Sequence, residues 1–183
     1  MHTLAQQLVP AARVVYVEYD PVVSLHVGDL LGSTSGGEAT LLEADLREAG
    51  PVLDRAAATL DLTQPTAVLF SDVLGHVHDD AQVQQLITTY MQAVPAGSFL
   101  FLTHATPVAS EPRLQELLDA TGAVPRYLLR SPETVRGFFD GLELQEPGLV
   151  RQYDWRPASG TSRGPATAGL ASLAGLARKM PED

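Results

Sequence analysis

Short apolar runs alternate with longer amphipathic stretches along the chain, and this alternation predicts its elements. Four runs predict buried strands, because they are rich in β-branched or large apolar residues and are bounded by proline, glycine or polar residues; they cover 13–17, 39–44, 66–70 and 98–103. Apolar residues at helical spacing predict helices over 3–9, 22–31, 50–60, 81–94, 111–121 and 132–139. Repeated strand–helix alternation is typical of βαβ units, so we predict an α/β fold with a mostly parallel sheet.

The last third of the chain departs from this alternation. Residues 124–129 are predicted to be extended, and 142–144 and 149–153 to close the sheet as an antiparallel hairpin whose turn contains Pro147 and Gly148. A loop rich in small residues is predicted over 157–168, before a last apolar stretch at 170–176. With 183 residues, the chain is expected to form a single domain over 1–183.

Composition excludes several classes of protein. Hydrophobic residues make up 45% of the chain and charged residues 19%, which is typical of a globular domain. The net charge of −10 and the lack of a Lys/Arg cluster argue against a nucleic-acid or anionic-membrane partner. No apolar run approaches the ~20 residues that span a membrane, and the N-terminus lacks a secretory pattern. The absence of cysteine excludes disulfides and thiolate metal sites, so we expect a cytoplasmic protein.

Acidic residues follow the first two predicted strands. Ligands of open parallel sheets bind beyond the carboxyl ends of the strands. Glu18 can accept hydrogen bonds from the vicinal hydroxyls of a ribose there, or it can cap the helix that begins near Pro21. Asp45 can accept from an adenine amino group while the backbone of Leu46 donates to the ring, although taken alone it is better explained as a turn cap. Together they favour a nucleoside site, so we predict that Glu18 and Asp45 face one crevice.

Polar residues also follow the third and fourth predicted strands. Ser71 and Asp72 come after the third, followed by the His76-Val-His-Asp-Asp80 segment, and His104 lies at the end of the fourth. The histidine segment partly matches the zinc motif of metallo-β-lactamase-like hydrolases, but its final histidine is missing. A polar loop with Asp79 or Asp80 as helix cap is the better interpretation, and we predict no metal site. Backbone contacts for His104, and packing roles for Tyr153 and Trp155, are likewise favoured over substrate contacts.

Several segments of the chain match known motifs. Residues 14–23 (VVYVEYDPVV), 42–46 (LEADL) and 70–77 (FSDVLGHV) are similar, in that order, to the second-strand, adenine-binding and fourth-strand motifs of class I S-adenosylmethionine-dependent methyltransferases. Residues 130–150 (RSPETVRGFFDGLELQEPGLV), 155–157 (WRP) and 175–179 (GLARK) resemble the C-terminal signature of a narrower group, the DUF574 or Methyltransferase 19 family. The resemblance implies a Rossmann-like three-layer α/β/α sandwich with S-adenosylmethionine as cofactor and methyl transfer to a small-molecule acceptor.

The resemblance also implies roles for seven residues of this sequence. Six are expected to contact the cofactor: Glu18 and Asp20 at the ribose, Asp45 and Leu46 at the adenine, and Ser71 and Asp72 at its methionine end. His76 is expected to face the substrate and to act as the catalytic base if the acceptor is a hydroxyl or a protonated amine.

One part of the family pattern has no counterpart in this sequence. The family has a first strand and a glycine-rich loop ahead of the helix that here begins near His2, and the amides of that loop contact the cofactor tail. We therefore expect a chain that is N-terminally truncated relative to the family and binds S-adenosylmethionine weakly or not at all. The strands at 13–17 and 66–70 would flank the absent one. They are expected to pair directly, to receive a segment of another chain, as in a homodimer, or to leave the domain poorly stable. The alternative function is a degenerate, non-catalytic domain that acts in binding or dimerisation.

Overall fold

The computed structural model describes residues 1–31, 37–107, 112–156 and 171–181. These residues form two compact units, Met1–Gln64 and Pro65–Asp183. We call them unit 1 and unit 2. The predicted loop at 157–168 and the predicted helix start at residue 111 lie outside the described residues. The expectation of a single domain over 1–183 stays a prediction.

Unit 1 consists of two parallel strands with three helices. Its elements are α1 (His2–Leu8), β1 (Val14–Glu18), α2 (Pro21–Leu31), β2 (Ala39–Glu43) and α3 (Ala49–Ala56). The register places Glu18 opposite Glu43, and the N–H of Ala44 donates to the carbonyl of Glu18 at 2.9 Å, so the two strands end together. In the described part of the chain, β1 is bonded along one edge, to β2.

Unit 2 contains a mixed sheet. Its elements are β3 (Ala67–Ser71), α4 (Asp80–Gln92), β4 (Phe99–Thr106), α5 (Leu114–Asp119), α6 (Pro132–Gly137), β5 (Glu143–Leu144), β6 (Val150–Arg151) and β7 (Ala171–Arg178), with 3₁₀ turns at Leu74–His76 and Gln152–Asp154. β3 and β4 are parallel, and β7 lies antiparallel to β4 on its other edge. Among the described strands, β3 is bonded to β4 alone.

The predicted C-terminal hairpin is wrong in its pairing. β5 and β6 do not pair with each other; both pair antiparallel with β7, through Glu143 opposite Arg178 and Val150 opposite Ala174. The apolar stretch after the loop is therefore an interior strand, bonded to β4 on one edge and to β5 and β6 on the other. Residues 124–129, predicted to be extended, form no strand.

The core of unit 2 lies between its sheet and α4. Leu100 and Leu102 of β4 are completely buried, and both point to the same face of the sheet because side chains alternate along a strand. The buried face of α4 has helical spacing, with Val83, Leu86, Ile87, Tyr90 and Met91. Asp79 caps this helix by accepting from the N–H groups of Ala81 and Gln82, as the sequence predicted for Asp79 or Asp80. No helix among the described residues is long and apolar enough to cross a membrane.

Candidate functional site

The end of β1 presents a carboxylate with one oxygen available. Oε1 of half-buried Glu18 accepts the N–H of Asp20 at 2.9 Å. Asp20 in turn accepts the N–H groups of Val22 and Val23 at the start of α2, at 2.7 and 3.3 Å. Within the described residues no group donates to Oε2 of Glu18, so this oxygen can accept hydrogen bonds from a ligand. Asp20 is confirmed at the start of the helix, where its role is that of a cap.

The end of β2 presents a carboxylate whose orientation is fixed. Asp45 accepts from Nε of Arg47 at 2.9 Å and from Nη2 at 2.5 Å, and its Oδ1 also accepts the N–H of Arg47. These hydrogen bonds with Arg47 hold the pKa of Asp45 below its usual value. Asp45 therefore caps its own turn, which does not prevent it from accepting a further donor. It comes two residues after Glu43, so unit 1 brings Glu18, Asp45 and the adjacent Leu46 to one edge of its sheet.

Asp72 follows β3, whose last residue is Ser71, and carries a carboxylate surrounded by hydroxyl groups. Its φ of 52° lies in the left-handed region, which residues other than glycine seldom adopt. Its N–H donates to the carbonyl of Thr103 at 3.1 Å and to Oγ1 at 3.0 Å. Its carboxylate accepts from Oγ1 of Thr103 at 3.1 Å, from Oη of Tyr127 at 3.3 Å and from Oγ of Ser172 at 3.3 Å. The side chain is thereby held from β4, from β7 and from the 124–130 segment.

Tyr127 connects Asp72 with His76. Its hydroxyl accepts the N–H of Ala105 at 3.0 Å and donates to Asp72. Burial raises the pKa of Tyr127 to about 12, so the hydroxyl remains a donor at neutral pH. Its ring meets the imidazole of His76 edge-on, with ring centroids 5.2 Å apart. The same ring lies against Gly75, where a Cβ would come within 2.3 Å of it.

His76 and His78 fasten residues 124–130, which we call the strap, to the 3₁₀ turn. Nδ1 of His76 lies 2.8 Å from the carbonyl of Pro125, and Nε2 of His78 lies 2.9 Å from the carbonyl of Arg126. A carbonyl only accepts, so each of these nitrogens carries a proton. No group in the described part of the chain bonds to Nε2 of half-buried His76. A ring held through Nδ1 with Nε2 free is the arrangement in which histidine can serve as a general base.

Arg130 and His104 form a buried pair behind this site. Arg130 is 3% exposed and donates to the carbonyls of Leu74 and Val77, at 2.9 and 2.5 Å, and to Asp80 at 2.7 Å. Its Nη1 also lies 3.1 Å from Nε2 of His104. Because a guanidinium only donates, Nε2 accepts, and the protonated Nδ1 of His104 donates to the carbonyl of Ala105 at 2.7 Å. Burial lowers the pKa of His104, so it is neutral with both nitrogens engaged and cannot act as a base.

The remaining residues that the sequence offered as substrate contacts do not join this site. Tyr153 is 80% exposed, and Trp155 packs edge-on against Phe101 with centroids 6.0 Å apart. The described residues contain no group of three His, Cys, Asp or Glu that could hold a metal ion. A shallow groove in unit 2, lined in part by Gln84 and Lys179, contains none of the predicted site residues. The expectation that no zinc binds stays a prediction.

Comparisons with known proteins identify the family and the fold of the chain. Residues 1–180 match the model of the Methyltransf_19 family, described as S-adenosyl methyltransferase. The crystal structure of a DUF574 family protein from Streptomyces avermitilis MA-4680 is similar with a TM-score of 0.88 and 31% identity, over 97% of this chain and 69% of that one. The crystal structure of a protein from Thermobifida fusca YX described as a methyltransferase is similar with a TM-score of 0.85 and 28% identity, over 98% of this chain and 68% of that one.

More distant structures show the fold alone. A methyltransferase from Methanosarcina mazei, described as dependent on S-adenosylmethionine, has a TM-score of 0.61 at 10% identity, over 97% of this chain and 87% of that one. The Rossmann-like fold expected from the sequence is thus confirmed. No curated protein matches the chain.

Proposed function

Because the chain belongs to the S-adenosyl methyltransferase family, we propose that it transfers a methyl group from S-adenosylmethionine to a small-molecule acceptor. The observation that carries the proposal is the placement of His76, whose Nδ1 donates to the carbonyl of Pro125 while no described group bonds to Nε2. We propose a small molecule as acceptor because the net charge of −10 and the lack of a Lys/Arg cluster in the sequence argue against nucleic acid.

The residues at the strand ends of unit 1 fit the adenosine half of the cofactor. Oε2 of Glu18 can accept from ribose hydroxyls, while Asp20 keeps Oε1 oriented through its N–H. Asp45, held by Arg47, can accept from the adenine amino group, with Leu46 beside the ring. When bound, the cofactor supplies a methyl group activated by a positively charged sulfur.

In unit 2, Ser71 and Asp72 are proposed to border the methionine end of the cofactor, and His76 to serve the acceptor. Nε2 of His76 would take a proton from an acceptor that is not already a free nucleophile. The edge-on ring of Tyr127 and the bond to Pro125 restrict both rotation and tautomer of the imidazole. Catalysis would then depend chiefly on positioning.

Calorimetric titration with S-adenosylhomocysteine tests this proposal in the complete chain. We expect saturable binding that Glu18→Gln weakens roughly tenfold or more, because a hydrogen bond to a charged group contributes about 1.5–3 kcal/mol. Glu43→Gln is the matched control, since this exposed residue lies opposite Glu18 in the register yet has no proposed contact. It should change the affinity less than twofold.

The same titration measures the weak binding expected from the sequence. Absence of saturable binding at millimolar ligand would contradict the proposal and support the non-catalytic alternative. If Glu18→Gln and Glu43→Gln reduce the affinity equally, Glu18 does not bind the ribose.

A further inference from the structure

The strap is held on both sides of its backbone between residues 127 and 129. On one side, the N–H of Leu128 donates to the carbonyl of Gly75 in the 3₁₀ turn, at 2.8 Å. On the other side, α5 supplies the side-chain amide of half-buried Gln115. Its Nε2 donates to the carbonyl of Tyr127 and its Oε1 accepts the N–H of Leu129, each at 2.8 Å. The amide thus bonds the strap as a peptide group of a neighbouring strand would in a sheet.

The orientation of the Gln115 amide follows from its partners. A backbone carbonyl only accepts and a backbone N–H only donates, so the nitrogen faces Tyr127 and the oxygen faces Leu129. Nε2 also donates to Oδ1 of Asp119, one turn further along α5, at 3.0 Å. Both ends of the amide are therefore engaged, which holds the side chain in one arrangement.

Apolar packing brings α5 and the strap together but does not set their relative position. Leu114 of α5 lies in a buried cluster with Ala105 of β4 and Leu129 of the strap. Burial of apolar surface has no preferred direction, so this cluster does not fix where the strap lies along the helix. The amide of Gln115 does fix it, because hydrogen bonds require particular distances and angles.

The strap in turn holds His76, because the carbonyl of Pro125 accepts from Nδ1 of the imidazole at 2.8 Å. Pro125 lies two residues before the carbonyl that Gln115 binds, and the ring of Tyr127 meets the imidazole edge-on. A displaced strap would withdraw the carbonyl of Pro125 from Nδ1. The imidazole would then be free to rotate and to carry its proton on Nε2, which would no longer be the nitrogen available to take up a proton.

We propose that Gln115 is a positioning residue for His76, acting through the strap without touching any reacting atom. This inference rests on the proposed function, in which His76 serves the acceptor. Gln115 sets the place of the strap against α5, and the strap sets the place of the carbonyl of Pro125. That carbonyl decides which nitrogen of His76 is left free.

The test is an NMR measurement of the His76 tautomer in the full chain, labelled with ¹⁵N at histidine, at about pH 8.5, where free imidazole is neutral. In the unchanged protein we expect Nδ1 to carry the proton. Gln115→Leu removes both hydrogen bonds to the strap and should lower the ratio of the Nδ1-protonated to the Nε2-protonated form roughly tenfold. Gln85→Leu, the same change at an exposed position of α4, should leave the ratio within twofold. Equal ratios in the two variants would overturn the inference.

A milder variant decides the matter if Gln115→Leu does not fold. Gln115→Glu keeps an acceptor for the N–H of Leu129 but, when ionised, cannot donate to Tyr127, so it should lower the same ratio by a smaller factor. Urea unfolding of each variant separates positioning from stability. A variant that loses stability while the ratio stays unchanged would show a structural role alone, and the inference would fail. If the unchanged protein does not bind S-adenosylhomocysteine, the proposed function fails, and the tautomer ratio still decides whether Gln115 orients His76.

Discussion

At the scale of single residues, Arg130 has the largest number of buried partners in the site. Its guanidinium donates hydrogen bonds to the carbonyls of Leu74 and Val77. It also donates to Nε2 of His104, which fixes the tautomer of that ring. It thereby holds the segment between Asp72 and α4 in one conformation. Neither Arg130 nor Tyr127 was predicted as a site residue, because the side-chain partners that tie them to the site lie 22 to 56 residues away.

Arg130→Met is expected to destabilise the protein by about 3 kcal/mol. The buried carbonyl of Val77 and Nε2 of His104 would lose the donor that Arg130 supplies, at roughly 1–3 kcal/mol each. The carbonyl of Leu74 keeps the N–H of Val77. The ion pair with Asp80 adds little, since that carboxylate is 57% exposed. Urea unfolding measures the difference, and Arg136→Met, at an exposed position of α6, should stay within about 0.5 kcal/mol of the unchanged protein. Equal effects of the two variants would contradict this account of Arg130.

His104 should make the stability of the protein depend on pH below neutrality. Burial lowers the pKa of His104 in the folded state, whereas the unfolded chain takes up a proton near pH 6.5. Between these two pKa values the unfolded state binds more protons, so the free energy of unfolding falls as the pH decreases from about 6.5. One histidine contributes a slope of at most about 1.4 kcal/mol per pH unit.

His104→Gln keeps an acceptor for Arg130 and removes this titration. Urea unfolding of both proteins at pH 7.5, 6.5 and 5.5 should give a shallower decline for the variant. Parallel declines would show that His104 does not carry the effect.

At the scale of elements, the strap is positioned by contact with the 3₁₀ turn. The N–H of Leu128 donates to the carbonyl of Gly75 at 2.8 Å, and the ring of Tyr127 occupies the place of a side chain at Gly75. The φ of Gly75 is not positive, so its backbone conformation does not require glycine. The requirement comes from close packing against Tyr127. The sequence predicted an extended stretch at 124–129, and the strap forms no strand.

Gly75→Ala should displace the strap and destabilise the protein by about 2 kcal/mol, in the range typical of overpacking. Gly50→Ala is the matched control, because a Cβ there meets nothing within 4 Å and α3 gains helix propensity. Thermal and urea unfolding should show the control unchanged or stabilised. In a Tyr127→Ala background the cost of Gly75→Ala should shrink; a cost that persists there would exclude the contact with Tyr127 as its cause.

The elements that the sequence predicted well are those whose signal is local. β1 to β4 were predicted to within about two residues at their start, because each is a dense apolar run. The ends of α3 and α5 were overextended, since apolar spacing continues into the turns that follow them. Pairing of the C-terminal strands could not be predicted in the same way. β5 and β6 have only two residues each, and β7 is rich in alanine and glycine, which have low strand propensity.

The acids of the site were predictable because they follow strands, whereas their partners were not. Glu18, Asp45 and Asp72 were each placed at a strand end from sequence alone. The bond of Asp45 to Arg47 is local and could have been anticipated from a charge two residues away. The hydroxyl contacts of Asp72 depend on Ser172, 100 residues away, and on the packing of β7. Only the folded sheet brings those groups together.

At the scale of the whole molecule, buried apolar residues are distributed unevenly. Of the buried hydrophobic residues described, unit 1 contributes Leu42, Ala49, Val52 and Ala56, and unit 2 contributes all the others. Both acid-bearing strand ends of unit 1 are therefore supported by a small core. The net charge of −10 adds a long-range attraction for cations.

Hydrogen exchange should reveal this difference between the units. β4 is bonded on both edges and contains fully buried leucines, while β2 is bonded, in the described residues, to β1 alone. Amides open with free energies that follow local burial and bonding, so peptides covering 39–43 should exchange well before those covering 99–106. Mass spectrometry of the complete chain in buffer, and then in low urea, measures both segments in one sample. A common opening free energy for the two segments would show instead that residues 1–183 unfold as the single domain expected from the sequence, and that the small core of unit 1 does not limit its stability.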